Sequence, residues 1–268
     1  MSVLVVRALG MVTVQDLGRP GRMHEGLAPG GALVPELLVA ANRAAGNADG
    51  AAALEVLGHL VVRAERELTM AIDEHARVLH PGDELTIASG ARRVAYLAVR
   101  GGIDAPVILG GRGAQLSAGL GSLVRAGDRI DVGATPRARH GDTGARAADA
   151  AFFEGDRIRI LPGPDVAAFT EGALDVLCGA PFEISATSDR VGTRLAGPTI
   201  PRRAEWVERS RPMVRGAIEV PRDGQPIVLG PEHPTTGGYP VIAVVAQADL
   251  GRLFARRPGA SVTFFAAD

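Results

Sequence analysis

The sequence contains no lysine, and all 29 of its basic residues are arginine. Without a lysine amine, the chain cannot form a Schiff base with pyridoxal phosphate and cannot supply the lysine of a phosphate-binding P-loop. It also cannot carry covalently attached biotin. The missing side chain therefore excludes three classes of enzyme chemistry for this chain.

Cysteine is scarce as well, because Cys178 is the single example among 268 residues. One thiol cannot form an internal disulfide, and this usage is typical of a cytoplasmic protein. No apolar run reaches the roughly 18 residues of a membrane span. The N-terminal sequence also lacks the apolar core and the cleavage site of a signal peptide. We therefore expect a cytoplasmic protein with no membrane partner.

Positive and negative side chains nearly balance each other, with 29 basic and 30 acidic residues and a formal net charge of -1. Because no positive excess attracts phosphates, we expect no nucleic-acid partner. The 6 histidines show neither H-x-H nor H-E-x-x-H spacing, and a lone cysteine cannot complete a zinc site. We expect no metal centre.

Short runs of β-branched and aromatic residues, bounded by Gly, Pro or Asp, recur along the chain and predict a mainly β protein. The predicted strands begin at Val3, Leu68, Leu85, Val94, Ile158, Pro226, Val241 and Val262. A Gly-Asp turn opens three stretches, PGDELTI, AGDRIDV and EGDRIRI, and PGASVTF is a weaker copy. We expect each turn to begin a strand.

Helical patterns are fewer, and we expect them to cover the sheets. One begins at Pro35 and should stop at Gly46, because proline suits the first turn and glycine the end of a helix. A second begins at Pro164. A third begins at Asp249, whose carboxylate is a candidate N-cap.

One stretch between these elements has the composition of a linker. Residues 133–150 lack apolar periodicity and are rich in Gly, Ala, Arg and Pro. The sequence therefore predicts an N-terminal half over residues 1–147 and a C-terminal half over residues 148–268.

The N-terminal stretch TVQDLGRPGRMHEG holds Asp16, Arg19 and His24 among three glycines and a proline. Such a composition presents polar groups on a rigid turn, which suits a binding loop. The alternative is that Asp16 and Arg19 only pair with each other and stabilise the loop. The stretch alone does not decide between these two interpretations.

A second polar loop, ATSDRVGTRLAGP, sets Ser188, Asp189, Arg190 and Arg194 around Gly192. Planar guanidinium groups can bind a carboxylate or a phosphate through two parallel hydrogen bonds. The alternative is a solvated charged turn, which is the commoner fate of mixed charges in a glycine-containing loop.

The stretch TTGGYP, from Thr235 to Pro240, is more than a hairpin turn requires, since Gly-Gly alone would be enough. Consecutive Thr-Gly-Gly amides can line a concave anion-binding nest, and the threonine hydroxyls add donors. Its members are the candidate binding residues Thr235, Thr236, Gly237, Gly238 and Tyr239.

Seven stretches in a fixed order carry a family resemblance: TVQDLGRPG, ANRAAGNADGAAALE, AYLAVRGGID, LPGP, SDRVGTRLAGP, GAIEVPRDGQPIVL and TTGGYP. With them the chain resembles the allophanate hydrolase subunit 2 family, also called biotin-dependent carboxyltransferase-like proteins, which includes the C subunit of bacterial 5-oxoprolinase. The resemblance spans nearly the whole chain. It implies two cyclophilin-like β-barrel halves with a few covering helices, which agrees with the strand-rich pattern.

The resemblance also implies a function. Similar proteins act with two further subunits, a kinase-inhibitor-like one (B) and an amidohydrolase-like one (A), in the ATP-dependent opening of 5-oxoproline to glutamate. The expected cofactor is ATP with magnesium, used as a substrate of the complex, and no biotin is attached to this chain. The first alternative is a carboxyltransferase-type protein acting on urea or allophanate-like amides, with biotin carried by another protein.

The resemblance implies catalytic or binding roles for residues of the three polar loops. Arg190, Asp189 and His24 are the catalytic candidates, with Asp189 or His24 positioning a proton. The substrate- and phosphate-binding candidates are Asp16, Arg19, Ser188, Arg194, Thr235, Thr236, Gly237, Gly238 and Tyr239.

Several polar side chains that relatives usually carry are replaced in this sequence. The replacements are apolar or lack a side chain, and they are Gly30, Val34, Gly111, Gly113, Ala114 and Pro234. These losses favour a second alternative, a non-catalytic regulator that binds a kinase-inhibitor-like partner.

Overall fold

The computed structural model describes most of the chain, namely residues 2–134, 147–148 and 150–267. The linker predicted over residues 133–150 falls largely outside these described residues. The boundary predicted at residue 148 therefore stays a prediction. Within the described ranges, no helix combines the length and the apolar character that crossing a bilayer requires.

The chain folds into two compact units, each built on one large β structure, and this confirms the predicted mainly β fold. The first unit consists of Met1–Pro20 and Pro29–Phe153, and the second of Gly21–Ala28 and Glu154–Asp268. The short segment that contains His24 therefore belongs to the second unit, although its neighbours in sequence belong to the first.

The first unit contains a curled sheet of seven strands. They are β1 (Ser2–Gln15), β2 (Ala53–Ala64), β3 (Leu68–Ile72), β4 (His75–Leu79), β5 (Glu84–Ala88), β6 (Ala95–Val99) and β7 (Arg129–Asp131). Their order is β4-β3-β6-β2-β1-β7, with β5 paired to β2. The sheet curls into a half-barrel and does not close, unlike the barrel of the second unit.

The long antiparallel pair of β1 and β2 forms the centre of this sheet, ending with Gln15 opposite Ala53. Gly10 and Gly58 face each other in the pair, with φ angles of +85° and +138°. A Cβ atom on either glycine would lie 2.4 Å from a carbonyl oxygen of the other strand. Glycine is therefore required at both positions for the strands to pair here.

The first helix, α1 (Pro35–Ala45), covers the sheet and has the predicted start and stop. Pro35 occupies its first turn, and Gly46 ends it at φ +78°. Its apolar face packs against β3 and β6. The sheet has its own core cluster, which contains no residue of α1 and includes Leu54, Val56, Leu60, Met70 and Leu97. Each fully buried side chain of this size contributes about 1.5–3 kcal/mol by leaving water.

The stretch ANRAAGNADG, which carried part of the family resemblance, has a structural role after α1. The side-chain amide of Asn47 donates to Asn42 Oδ1 at 3.0 Å and to the Val99 carbonyl at 2.8 Å. Arg43 binds Asp49 through two parallel hydrogen bonds of 2.8 Å. These contacts fix the end of the helix to β6 and to the segment before β2.

The second unit contains a closed barrel of seven strands. They are β8 (Arg157–Pro162), β9 (Phe182–Ile184), β10 (Gly192–Ala196), β12 (Ala217–Glu219), β13 (Ile227–Leu229), β15 (Val241–Val245) and β16 (Ser261–Ala266). Two further strands, β11 (Arg211–Pro212) and β14 (Thr236–Gly237), pair with each other. The barrel order is β10-β13-β12-β15-β8-β16-β9, and closure leaves no free sheet edge.

The helix predicted from Pro164 is wrong in its first half. Only a short 3-10 turn forms at Val166–Ala168, and the true helix, α2 (Ala173–Gly179), begins later. Gly172 separates the two with a left-handed backbone at φ +79°. The conformational freedom of glycine therefore outweighs the helical pattern around it.

The last helix, α3 (Gln247–Phe254), begins two residues before the predicted start, and the predicted N-cap is wrong. The residue at the cap position is Ala246. Asp249 lies inside the first turn, where its carboxylate accepts bonds from the backbone N–H and the guanidinium of Arg159 at 2.8–3.0 Å. Its side chain therefore fixes the helix to β8.

The predicted strands are confirmed. All eight predicted runs form strands, although those from Val94 and Pro226 begin one residue before β6 and β13. The four turn motifs lead into β5, β7, β8 and β16. The sequence missed the long strand β2 and several short ones.

Candidate functional site

The predicted site residues fall in both compact units, so the two groups are described separately. Asp16 and Arg19 belong to the first unit. His24 and the loops that contain Arg190 and Thr235 belong to the second unit.

Asp16 fixes the loop that follows β1 to a distant segment of the first unit. One carboxylate oxygen accepts a bond from the Gly18 N–H at 2.8 Å, and the other accepts one from the Arg112 N–H at 2.6 Å. A Cβ atom on Gly113 would lie 2.8 Å from Asp16 Oδ1, so the glycine permits this close approach. Asp16 therefore holds the loop after β1 against this segment, and the binding role predicted for it stays a prediction.

Arg19 binds the same distant segment and does so from a buried position. Its side chain donates from Nε to the Ile108 carbonyl at 2.8 Å and from Nη2 to the Gly111 carbonyl at 3.0 Å. Asp16 and Arg19 each bind the 108–112 segment. The sequence left open that the two residues only pair with each other, and these contacts to a distant segment differ from such a pair. The third nitrogen, Nη1, is buried without a hydrogen-bond partner among the described residues.

A cavity of about 460 Å³ lies beside Arg19 in the first unit. Three guanidinium-bearing residues line it, Arg19, Arg112 and Arg129, together with the carboxylate-bearing Asp128. Its size lies within the range of small-molecule sites. Sequence reasoning missed Arg112 and Arg129, since the sequence places them about 90 residues or more after the loop that they accompany.

The loop before β10 in the second unit is shaped by its own side chains. Asp189 is exposed, and its Oδ1 accepts bonds from the Val191 and Gly192 N–H groups at 2.9 Å. The Ser188 hydroxyl accepts a bond from the Arg194 N–H at 3.0 Å. These contacts stabilise a tight turn, and the roles predicted for Ser188 and Asp189 stay predictions.

Arg190 points into the protein and forms a buried ion pair. Its Nε donates to Glu232 Oε1 at 2.6 Å, and both side chains are almost fully buried. The backbone supports the pair, because the Glu232 N–H donates to the Arg190 carbonyl at 3.1 Å. Arg190 therefore joins its own loop to the segment immediately before TTGGYP, a role that sequence reasoning did not foresee.

Arg194 is exposed on β10, and an acidic residue, Glu219, lies on β12, the strand on the other side of β13. Arg194 and Glu219 both lie opposite Ile227 of β13, so the two side chains share one face of the sheet. Burial raises the pKa of the Glu219 carboxyl, and the positive charge of Arg194 acts in the opposite direction. A perturbed acid beside an exposed arginine is typical of functional sites, and sequence reasoning missed Glu219.

The TTGGYP stretch is a strand followed by a bend. Thr236 and Gly237 form β14, and the Thr235 carbonyl accepts a bond from the Met213 N–H at 3.0 Å. A Cβ atom on Gly237 would lie 2.6 Å from Met213 Cε, so this glycine permits close packing. Tyr239 is 41% exposed. The anion-binding role of the stretch stays a prediction.

His24 occupies a 3-10 turn, Met23–Glu25, and its side chain is 76% exposed. Its Nε2 lies 3.5 Å from a carboxylate oxygen of Glu25. The proton-transfer role predicted for His24 stays a prediction. Across the described part of the chain, no group of three or more His, Cys, Asp or Glu side chains is arranged to hold a metal ion.

A half-barrel unit with one motif loop and a closed-barrel unit with two define a carboxyltransferase-type fold. The chain belongs to the carboxyltransferase domain family, subdomains A and B, which matches residues 25–266. It is 35% identical to the C subunit of 5-oxoprolinase from Escherichia coli over 93% of this chain and 86% of that protein. It is 29% identical to the Haemophilus influenzae protein of the same name, over 94% of this chain and 87% of that protein.

Two solved structures share the fold. The crystal structure of TTHA0988 superposes with a TM-score of 0.85 at 32% identity, and the match covers 98% of this chain and 55% of that one. This chain therefore spans about half the length of that solved protein. The Kluyveromyces lactis urea carboxylase superposes with a TM-score of 0.86 at 24% identity, over all of this chain and 27% of that one.

Proposed function

We propose that this chain is one subunit of an ATP-dependent 5-oxoprolinase complex, which opens 5-oxoproline to glutamate. The observation that carries the proposal is the 35% identity to the C subunit of Escherichia coli 5-oxoprolinase over nearly the whole chain. The Haemophilus influenzae relative supports it. Both names describe one part of a multi-subunit enzyme, so we expect the chain to be inactive alone.

The proposed partners are the kinase-inhibitor-like and the amidohydrolase-like proteins that complete such an enzyme. The lactam-activating site would be completed by the kinase-inhibitor-like partner, and the activated product would be hydrolysed at the amidohydrolase-like partner. Because the reaction consumes ATP, we place the complex in the cytoplasm.

The chemistry explains why ATP is needed. A lactam carbonyl is a poor electrophile, and transfer of a phosphoryl group to its oxygen creates a good leaving group. The net reaction uses two water molecules and yields glutamate, ADP and phosphate. Donors must hold the substrate carboxylate, and cations must balance the phosphate charge during transfer. In a chain without lysine, arginine must supply those cations.

The geometry suggests how the second unit contributes. Arg194 is exposed, so its guanidinium is available to an anion, and Ser188 holds its backbone in place. Arg190 is held by Glu232 and therefore acts by positioning the loop. The hydroxyls of Thr235 and Thr236 would add neutral donors. Magnesium would enter as the ATP complex, and no biotin is attached to this chain.

A second candidate function is that of a carboxyltransferase-type protein acting on urea or a related amide. One observation favours it: the chain is 26% identical to the urea amidolyase of Lachancea kluyveri, although it covers only 16% of that protein. This function would need biotin carried by another protein.

One comparison separates the two functions. The chain is co-purified with its two partners, and glutamate release from 5-oxoproline is measured with ATP. The same complex is then given urea, bicarbonate, ATP and a biotin carrier with its carboxylase. Glutamate release without urea carboxylation supports the oxoprolinase, and the reverse supports the carboxyltransferase. A complex that assembles but processes neither substrate would leave the non-catalytic regulator as the better explanation.

A further inference from the structure

Arg19 is a buried cation whose hydrogen bonds are incomplete. The residue is 3% exposed, and Nε and Nη2 are bound to the neutral carbonyls of Ile108 and Gly111. Its Nη1 is also buried and has no partner in the described part of the chain. A buried charge with an unused donor costs free energy that a bound anion would recover.

The two carbonyl contacts also hold the guanidinium in one orientation. Ile108 and Gly111 bind two of its three nitrogens, so the side chain has little freedom to lose when a ligand arrives. A binding group fixed in advance gains affinity because less ordering is required on binding. A carboxylate at Nη1 would complete the guanidinium with a charge-assisted hydrogen bond.

The cavity that Arg19 lines has the size for a small organic ligand, and one carboxylate, that of Asp128, also lines it. Arg112 and Arg129 line it too, and their guanidinium groups are bound to Asp104 and Glu65 at 2.9 Å and 3.1 Å. The charges of these two arginines are therefore balanced by carboxylates, whereas the two carbonyls that bind Arg19 are neutral. Aliphatic side chains complete the walls, among them Val14, Ile108 and Val124.

We propose that this cavity binds 5-oxoproline, with the substrate carboxylate on Arg19 and the ring carbons against the aliphatic wall. The ligand class is a small carboxylate with a compact, partly apolar body. The inference rests on the proposed function for the identity of the substrate, and it moves the substrate-binding site from the loops of the second unit to the first unit. Arg19 thereby becomes a residue that determines specificity.

The test is a direct binding measurement by calorimetry on the full chain, alone and in the assembled complex. The ligands are 5-oxoproline, 2-pyrrolidone, which lacks the carboxylate, and urea. Arg19→Gln removes the charge, and its control is Arg63→Gln, an exposed arginine paired with Glu84 in the same unit. Ser122→Phe places a ring in the cavity wall, and its control is Ala118→Phe, an exposed position outside the lining.

We expect 5-oxoproline to bind and 2-pyrrolidone and urea to bind at least about tenfold more weakly. Arg19→Gln should weaken 5-oxoproline binding by about tenfold or more, and in the complex it should raise KM for 5-oxoproline without changing KM for ATP. If Arg19→Gln fails to fold, Ser122→Phe must still abolish binding while both controls bind as the parent does.

Two results would overturn the inference: equal binding of 5-oxoproline and 2-pyrrolidone, or parental binding by both cavity variants. The outcomes also separate this inference from the proposed function. Turnover of 5-oxoproline with an unchanged KM in the cavity variants would refute the site and retain the function. Carboxylate binding at Arg19 in a complex that does not open 5-oxoproline would retain an anion site and refute the function.

Discussion

Arg190 and Glu232 form an ion pair of 2.6 Å whose side chains are only 4% and 5% exposed. The pair joins the loop before β10, which the sequence suggested as a binding loop, to the segment immediately before TTGGYP. Since its guanidinium is engaged inside the protein, Arg190 organises these loops rather than presenting itself to solvent.

The first prediction follows from this burial. Arg190→Ala removes the cation that is ion-paired with the buried Glu232 carboxylate, and we expect the free energy of unfolding to fall by roughly 3–5 kcal/mol. Chemical denaturation measures the change. The matched control is Arg194→Ala, an exposed arginine of the adjacent strand β10, which should change stability by less than about 0.5 kcal/mol. A parental stability for Arg190→Ala would show that the pair contributes little.

The second prediction concerns pH and His233. Burial lowers the pKa of the His233 imidazole, the Pro234 carbonyl acts in the opposite direction, and the charge of Arg215 lowers the pKa further. The unfolded chain therefore takes up a proton at this residue near its ordinary pKa of 6.5, whereas the folded chain does so only at lower pH. The free energy of unfolding should fall as pH drops below about 6.5.

The measurement is the free energy of unfolding between about pH 7.5 and pH 5.5, spanning the ordinary histidine pKa. For one proton the slope is at most about 1.4 kcal/mol per pH unit. His233→Gln should flatten it, and His24→Gln, which changes an exposed ring, should keep the parental slope. If the free energy of unfolding of His233→Gln keeps the parental slope against pH, groups other than His233 cause the pH dependence.

The third prediction tests the close approach at Gly113. A methyl group on this residue would lie 2.8 Å from Asp16 Oδ1 and 2.9 Å from Gln15 Oε1, closer than normal contact. We expect Gly113→Ala to destabilise the protein by about 1–3 kcal/mol, because the loop after β1 must move. Gly179 has open space around its Cβ position, so Gly179→Ala should be nearly neutral. Equal thermal stability of both variants would refute the contact.

The fourth prediction tests the proposed activation of the lactam. If a phosphoryl group is transferred to the lactam oxygen, a first water attacks the ring carbon and the C–N bond breaks, which leaves an acyl phosphate. When a second water attacks the carbonyl carbon of this acyl phosphate, an ¹⁸O label from the lactam carbonyl leaves with phosphate. Mass spectrometry of the phosphate released by the complete complex should therefore show the label. Label found only in glutamate would show that the labelled oxygen never leaves the carbon, and would contradict the displacement of phosphate from carbon.

Much of the fold could be predicted from the sequence, because strand signals are local. Runs such as LTMAI became strands, and Pro35 and Gly46 correctly bounded α1. The strand β2 was missed, since Gly58 interrupts its pattern and the stretch AAALE, which includes its first three residues, favours helix. The break at Gly172 was missed because a single left-handed residue ended an otherwise helical pattern.

The site was harder to predict because its contacts join distant segments. The loop TVQDLGRPG and its polar residues were visible in the sequence, yet the carbonyl partners of Arg19 lie 89 and 92 residues away. Likewise, Glu232 lies 42 residues from Arg190. Sequence alone identified which residues are polar and mounted on turns. It could not show which of them are buried, or that Arg19 lines a cavity.

The most direct test of the account is glutamate release from 5-oxoproline by the three co-purified proteins, with and without ATP and with this chain omitted. We predict release only when ATP and this chain are both present. Undiminished release from the two partners without this chain would contradict the proposed function. So would the absence of release from an assembled three-protein complex supplied with ATP.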